Sequence, residues 1–167
     1  MANYKGHLNG ALVAAGLYLA VLIGVAVLYT LYTSFTWGQI GAGLLGVIVL
    51  TVLFGLWPDV DLDSKGRRIF YNLFFAIDLF LIVTERFEAA AYLGLFAILP
   101  ALGAHRGWTH TWWAMLLVPA PLVVVPYLYL PDMPLIGLPF YGAAVTGYFS
   151  HLLLDGLVIP LPKKQSG

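Results

Sequence analysis

The sequence predicts an all-α polytopic membrane protein, a bundle of about six transmembrane helices with a polar site at one membrane face. Three observations predict it. The chain is 61% hydrophobic and only 10% charged, whereas soluble domains carry about 25% charged residues. Its apolar runs reach the length of about 20 residues that a helix needs to cross a bilayer. Its scarce polar residues are gathered at the ends of those runs, all four histidines among them.

The apolar runs justify the elements one by one. Residues 8–35 form a first span without a single charge. The segment before it lacks the basic region and cleavage site of a signal peptide, so this run is expected to be retained. Residues 39–57 form a second span, rich in glycine early on (Gly38, Gly41, Gly43, Gly46), which permits close helix packing. Pro58 ends it, and the polar segment from Asp59 to Arg68 follows. A third run, 69–84, is short and contains Asn72 and Asp78. Residues 87–103 make a fourth span and 112–130 a fifth, the latter interrupted by Pro119, Pro121 and Pro126. The sixth, 136–159, carries Ser150, His151 and Asp155 in its last third. No internal repeat or separate soluble region is visible, so residues 1–167 read as one integral membrane domain.

Composition also excludes. Cysteine is absent, which rules out disulfides and thiolate metal sites. The formal net charge is zero and gives no sign of nucleic-acid binding.

Counting spans tests the arrangement. With six crossings, His7, the Asp59–Asp63 segment, the His105–His110 segment and the end of the sixth span share one face. Lys5, Lys65, Arg67, Arg68, Arg106, Lys163 and Lys164 lie on that face, and only Arg86 lies opposite. The positive-inside rule then makes the polar face, with both termini, the cytoplasmic side of the inner or plasma membrane. Trp57, Trp108, Trp112 and Trp113 are expected to mark one interface, and Tyr29, Tyr32, Trp37, Tyr127 and Tyr129 the other.

The polar residues are of ligand type. His151 and Asp155 stand four apart, so one helix face presents both. Asp59 and Asp61 would point the same way from an extended segment. His105 and His110 flank a glycine-containing loop, which lets them converge. Neutral imidazole with carboxylate is a normal donor set for a hydrolytic metal: zinc first, with manganese, iron and magnesium as alternatives. Such an ion lowers the pKa of its water to about 7. Arg106 offers a planar fork for an anion, and Ser64, Lys65, Arg67 and Arg68 suit a lipid phosphate at headgroup depth. Plainer roles stand beside these. An interfacial histidine is often only hydrogen-bonded. Asp63 reads best as a turn residue or helix cap, and Arg67 and Arg68 as topology determinants. A cluster of ionisable groups in so apolar a chain nonetheless points to function.

The same residues resemble the YdjM-like family of membrane-bound, metal-dependent hydrolases. The likeness runs through Gly6-His7, Pro58-Asp59-Val60-Asp61 with Ser64, His105-Arg106-Gly107-Trp108-Thr109-His110, and Gly147-Tyr148-Phe149-Ser150-His151 with Asp155. The chain departs where the family often has a histidine after the second aspartate, which is Leu62 here, and in Thr111, where the family has serine. The resemblance implies a metal site drawn from His7, Asp59, Asp61, His105, His110, His151 and Asp155. The sequence reading is therefore a metal-dependent hydrolase of a lipid or amphiphile, a phosphoester being one candidate substrate. Asp59 or Asp61 would serve as base and Arg106 would steady negative charge. The other readings are a divalent-cation transporter, with the same residues as a transport site, and a membrane scaffold holding a structural metal. Transport sites usually lie at the bilayer midplane within inverted repeats, and neither feature is visible here.

Overall fold

The computed structural model describes residues 4–28, 35–60, 65–99 and 107–157. Those residues are helical throughout apart from turns, with no strand among them. The helices are α1 (Tyr4–Leu28), α2 (Trp37–Leu56), α3 (Lys65–Val83), α4 (Phe87–Ile98), α5 (Trp112–Leu117), α6 (Pro121–Tyr129) and α7 (Leu138–Leu154). They fall into the six apolar segments that the sequence predicts, with the fifth divided. The division lies at residues 118–120, just where Pro119 and Pro121 interrupt the run. A proline removes a helical hydrogen bond and crowds the preceding turn.

Among the described residues, three spans are long and apolar enough to cross a membrane: Tyr4–Leu28, Trp37–Asp59 and Trp112–Tyr129. The surface agrees. Val13, Leu17, Leu28, Phe75, Val83 and Leu128 are all well exposed. An outward apolar face of that extent suits lipid and is a liability in water.

The core is the trio α1, α2 and α7. Small residues let it close. A Cβ added at Gly55 would lie 2.6 Å from the Cβ of Ala11, and one added at Gly147 would overlap the carbonyl of Thr51. So α1 meets α2 at Ala11, and α2 meets α7 at Gly147. Because no side chain intervenes, backbone packs on backbone, the usual device of membrane helices. Thr51 turns its hydroxyl back to the Val47 carbonyl at 2.8 Å and is fully buried.

The α3–α4 hairpin packs beside this trio. Its turn places Glu85 in the left-handed region at φ 60°. Two bonds close the turn, Glu85 N–H to Ile82 O and Arg86 N–H to Leu81 O. The hairpin joins the trio through aromatic rings: Phe70 stacks on Phe74, Phe74 on Phe96, and Phe96 meets Phe54 and Trp57. Trp57 also meets Trp108 and Tyr148 and is only 1% exposed. The sequence reading of Trp57 as an interface anchor is thereby corrected: it is a core residue that ties α2, α4 and α7 together. Asp78, in the middle of α3, keeps a buried carboxylate oxygen without a hydrogen bond.

Candidate metal centre

Local structure brings four chain segments to one point. His7 lies in the second turn of α1. The contact of Ala11 with Gly55 fixes the register of these antiparallel helices. One turn further along, the same register brings His7 to Asp59.

Asp59 ends a 3-10 turn, Trp57–Asp59, that continues α2 beyond its last α-helical residue. Pro58 forces the change of helix type, since it occupies the first turn of the new segment. Val60 remains in the right-handed region and is fully buried. The expected extended segment at Asp59 is therefore a helical turn. Asp61 lies outside the described residues, as do Asp63, Ser64, His105 and Arg106, so the convergence expected of Asp61 and His105 cannot be placed.

His110 closes a second 3-10 turn, Trp108–His110. Thr111 clamps that turn to α5. Its hydroxyl donates to Trp108 O at 2.6 Å and accepts from Ala114 N–H at 3.3 Å. Tyr148, fully buried on α7, donates its hydroxyl to the Thr109 carbonyl. The hydroxyl of Thr109 lies 3.1 Å from Nδ1 of His110. Sequence reasoning assigned neither Thr109 nor Tyr148 a role, although both sit inside the motifs it quoted.

His151 and Asp155 come from the end of α7, as their spacing predicts. Asp155 is the C-cap rather than a helical residue. Gly156 follows at φ 72°, and the chain closes with Gly156 N–H to Leu153 O and Leu157 N–H to Leu152 O. This is the Schellman pattern, which needs a left-handed residue at that position and so favours glycine. It stops the helix where the Asp155 side chain turns into the cluster.

The ligand atoms then face one another. Nε2 of His110 is 3.4 Å from Oδ1 of Asp59 and 3.9 Å from Oδ2 of Asp155. Nε2 of His151 is 3.6 Å and 3.8 Å from the same two oxygens. Nε2 of His7 is 3.7 Å from Oδ2 of Asp59 and 3.4 Å from Oδ1 of Asp155. One ligand atom each from Asp59, His110, His151 and Asp155 lies within 4.8 Å of all the others. The Asp155 side chain is 2% exposed and that of Asp59 24%, so the cluster opens to its surroundings on the Asp59 side.

These distances test whether the residues fit an ion. Hydrogen bonds between N–H and oxygen run at about 2.7–3.2 Å, and every separation here is longer. Two donors bound to one zinc at 2.0–2.2 Å stand about 3.3–3.6 Å apart in a tetrahedral shell. Nε2 of His110, Nε2 of His151 and Oδ1 of Asp155 are buried without a hydrogen bond. Buried polar atoms are almost always paired, so atoms left facing one another in this way suit a shared cation. The tautomer agrees. Nδ1 of His151 donates to Gly55 O at 2.9 Å, because a carbonyl can only accept. In the neutral ring Nε2 then carries a lone pair, aimed at two carboxylates. Fixing a ligand ring through its other nitrogen is the usual support of a metal-bound histidine.

The model of a family described as YdjM inner membrane protein matches residues 6–158. No curated protein and no solved structure matches the chain. The matched region runs from the first turns of α1 to the end of α7 and takes in His7, Asp59, His110, His151 and Asp155, and the chain belongs to the YdjM inner membrane protein family.

Proposed function

We propose that the protein is a metal-dependent hydrolase of the inner membrane, acting on a lipid or amphiphilic substrate at the cytoplasmic face. One observation carries this reading: three histidines and two aspartates, four of them nearly sealed from solvent, direct ligand atoms at one another, and Nε2 of His110, Nε2 of His151 and Oδ1 of Asp155 are buried without a hydrogen bond. The donor set favours zinc, with manganese, iron or magnesium as alternatives. Such an ion, when bound, supplies Lewis-acid activation of water at neutral pH.

The chain's own residues would do the rest. His110, His151, Asp59 and Asp155 would hold the ion. Asp59 or Asp61 would take a proton from the attacking water, and Arg106 would steady the negative charge that develops on the substrate. Water adds to the ester centre, the bond to the leaving alcohol breaks, and the alcohol takes up a proton. The position of the cluster supports an amphiphilic substrate. It lies where three apolar helices end, a depth at which an ester bond sits while its chains stay in lipid. Arg67 and Arg68, exposed at the start of α3, supply positive charge for a phosphoester. The position also argues against transport, whose sites usually lie at midplane. The exposure of Asp59 favours a working site over a structural one, which is closed.

The test is hydrolysis of phospholipid and lipid-phosphate monoesters by the purified protein in detergent, with zinc or manganese and with chelator. Metal-dependent release of product, at least 100-fold lower in Asp155→Ala, supports the reading. A protein that holds metal yet cleaves no ester or phosphoester amphiphile overturns it.

A further inference from the structure

We propose that the cluster is built for two divalent ions, with His7 the terminal ligand of the second and with Asp59 and Asp155 each bridging the pair. The proposal rests on the metal reading above and goes beyond it in number, ligand assignment and the division of labour between the carboxylates.

The carboxylate oxygens carry the first argument. Each aspartate splits its two oxygens between different histidines. Oδ1 of Asp59 and Oδ2 of Asp155 face His110 and His151. Oδ2 of Asp59 and Oδ1 of Asp155 face His7. The same partition occurs twice, on side chains from two different helices. A single ion would draw one oxygen from each aspartate and leave the other two facing a bare imidazole.

The rings carry the second. His7 and His151 stack with centroids 3.9 Å apart and planes within 14°. An imidazole donates in its own plane. An ion midway between two nearly parallel rings would lie well out of both planes, by up to about half their separation, beyond the reach of either lone pair at a zinc–nitrogen bond of about 2.0–2.1 Å. Stacked rings therefore address two ions side by side. The separation of the rings matches the spacing of about 3.5–4 Å between ions in two-metal hydrolytic sites. His110 differs: its ring meets that of His151 edge-on, at 65° and 5.3 Å, the splayed arrangement of two ligands that converge on one ion.

Burial carries the third. His7 is 2% exposed, and its Nε2 faces one oxygen of each aspartate. A histidine kept only for packing would be a costly choice in a helix whose neighbouring buried residues are Ala11 and Ala15. With both oxygens of Asp59 engaged, that carboxylate has none left to take a proton from water.

The experiment uses the full chain in detergent. Bound zinc is counted by elemental analysis after desalting. Manganese-loaded protein is examined by electron paramagnetic resonance, with His7→Ala, His7→Gln and His110→Ala alongside. Two equivalents of zinc and an exchange-coupled manganese spectrum are expected in the parent. Each His7 variant is expected to hold one equivalent, with an uncoupled six-line spectrum, while its helical circular dichroism stays unchanged. One equivalent and a six-line spectrum in the parent would overturn the two-ion assignment and leave the hydrolase reading standing. Two equivalents retained in both His7 variants would overturn the role of His7. A parent that binds neither metal would sink the metal reading itself, and this proposal with it.

Discussion

Nδ1 of His151 donates to the carbonyl of Gly55 across the α2–α7 interface. That carbonyl belongs to the last turn of α2, where helix carbonyls lose their intrahelical partners. One bond thus caps α2, orients the imidazole and aims Nε2 at the aspartates. Fold and site depend here on the same atoms.

Ligand orientation should therefore be sensitive to residues that touch no metal. Thr109→Val removes the hydroxyl 3.1 Å from Nδ1 of His110 while keeping the side-chain volume. Loss of such a support costs about 10–100-fold in metal affinity. Titration with a zinc chelator should show a weakening in that range, with thermal stability of the metal-free protein nearly unchanged. Affinity equal to that of the parent would mean that the hydroxyl does not orient the ring.

Close helix approach should be unforgiving at Gly147. A methyl there would overlap the Thr51 carbonyl, and two backbones would have to separate. Overpacking of this kind costs about 1–3 kcal/mol. Gly147→Ala should lower the melting temperature in detergent and weaken metal retention at the same time. Gly94→Ala, at a position with open space around it, should do neither.

The α3–α4 turn offers an opposite case. Glu85 holds a left-handed conformation that costs a residue with a Cβ about 1–2 kcal/mol. Glu85→Gly relieves it and should raise stability by about 1 kcal/mol, read as a higher melting temperature, with metal content unaltered. The turn is remote from the cluster in the chain, and its hairpin packs on the trio through aromatic rings.

Much of this arrangement was legible in the sequence. Long apolar runs gave the helices, and the four-residue spacing of His151 and Asp155 gave their common face. Counting crossings put His7, Asp59 and His110 on one membrane face with that pair, and the side chains are found facing one another. What stayed hidden depended on contacts between distant segments. Trp57 reads as an interface residue because indole is equally suited to a membrane boundary and to a packed core; only Phe96, Trp108 and Tyr148 decide which. Asp59 reads as extended because a proline beside acidic residues usually opens a loop, whereas here the chain keeps turning and buries Val60. Thr109 and Tyr148 carry no ligand chemistry of their own, and their roles emerge only once a 3-10 turn rests on α7. Asp61, His105 and Arg106 were singled out by the same motifs and lie outside the described residues.

His7 and Asp155 stand 3.4 Å apart, yet they are contributed by the first and last helices of the described chain. During synthesis the ribosome delivers His7 to the membrane long before Asp155 exists. No truncated or half-inserted product can own the complete set of ligands. The cluster is thus completed only once α7 has been made and has packed against α1 and α2.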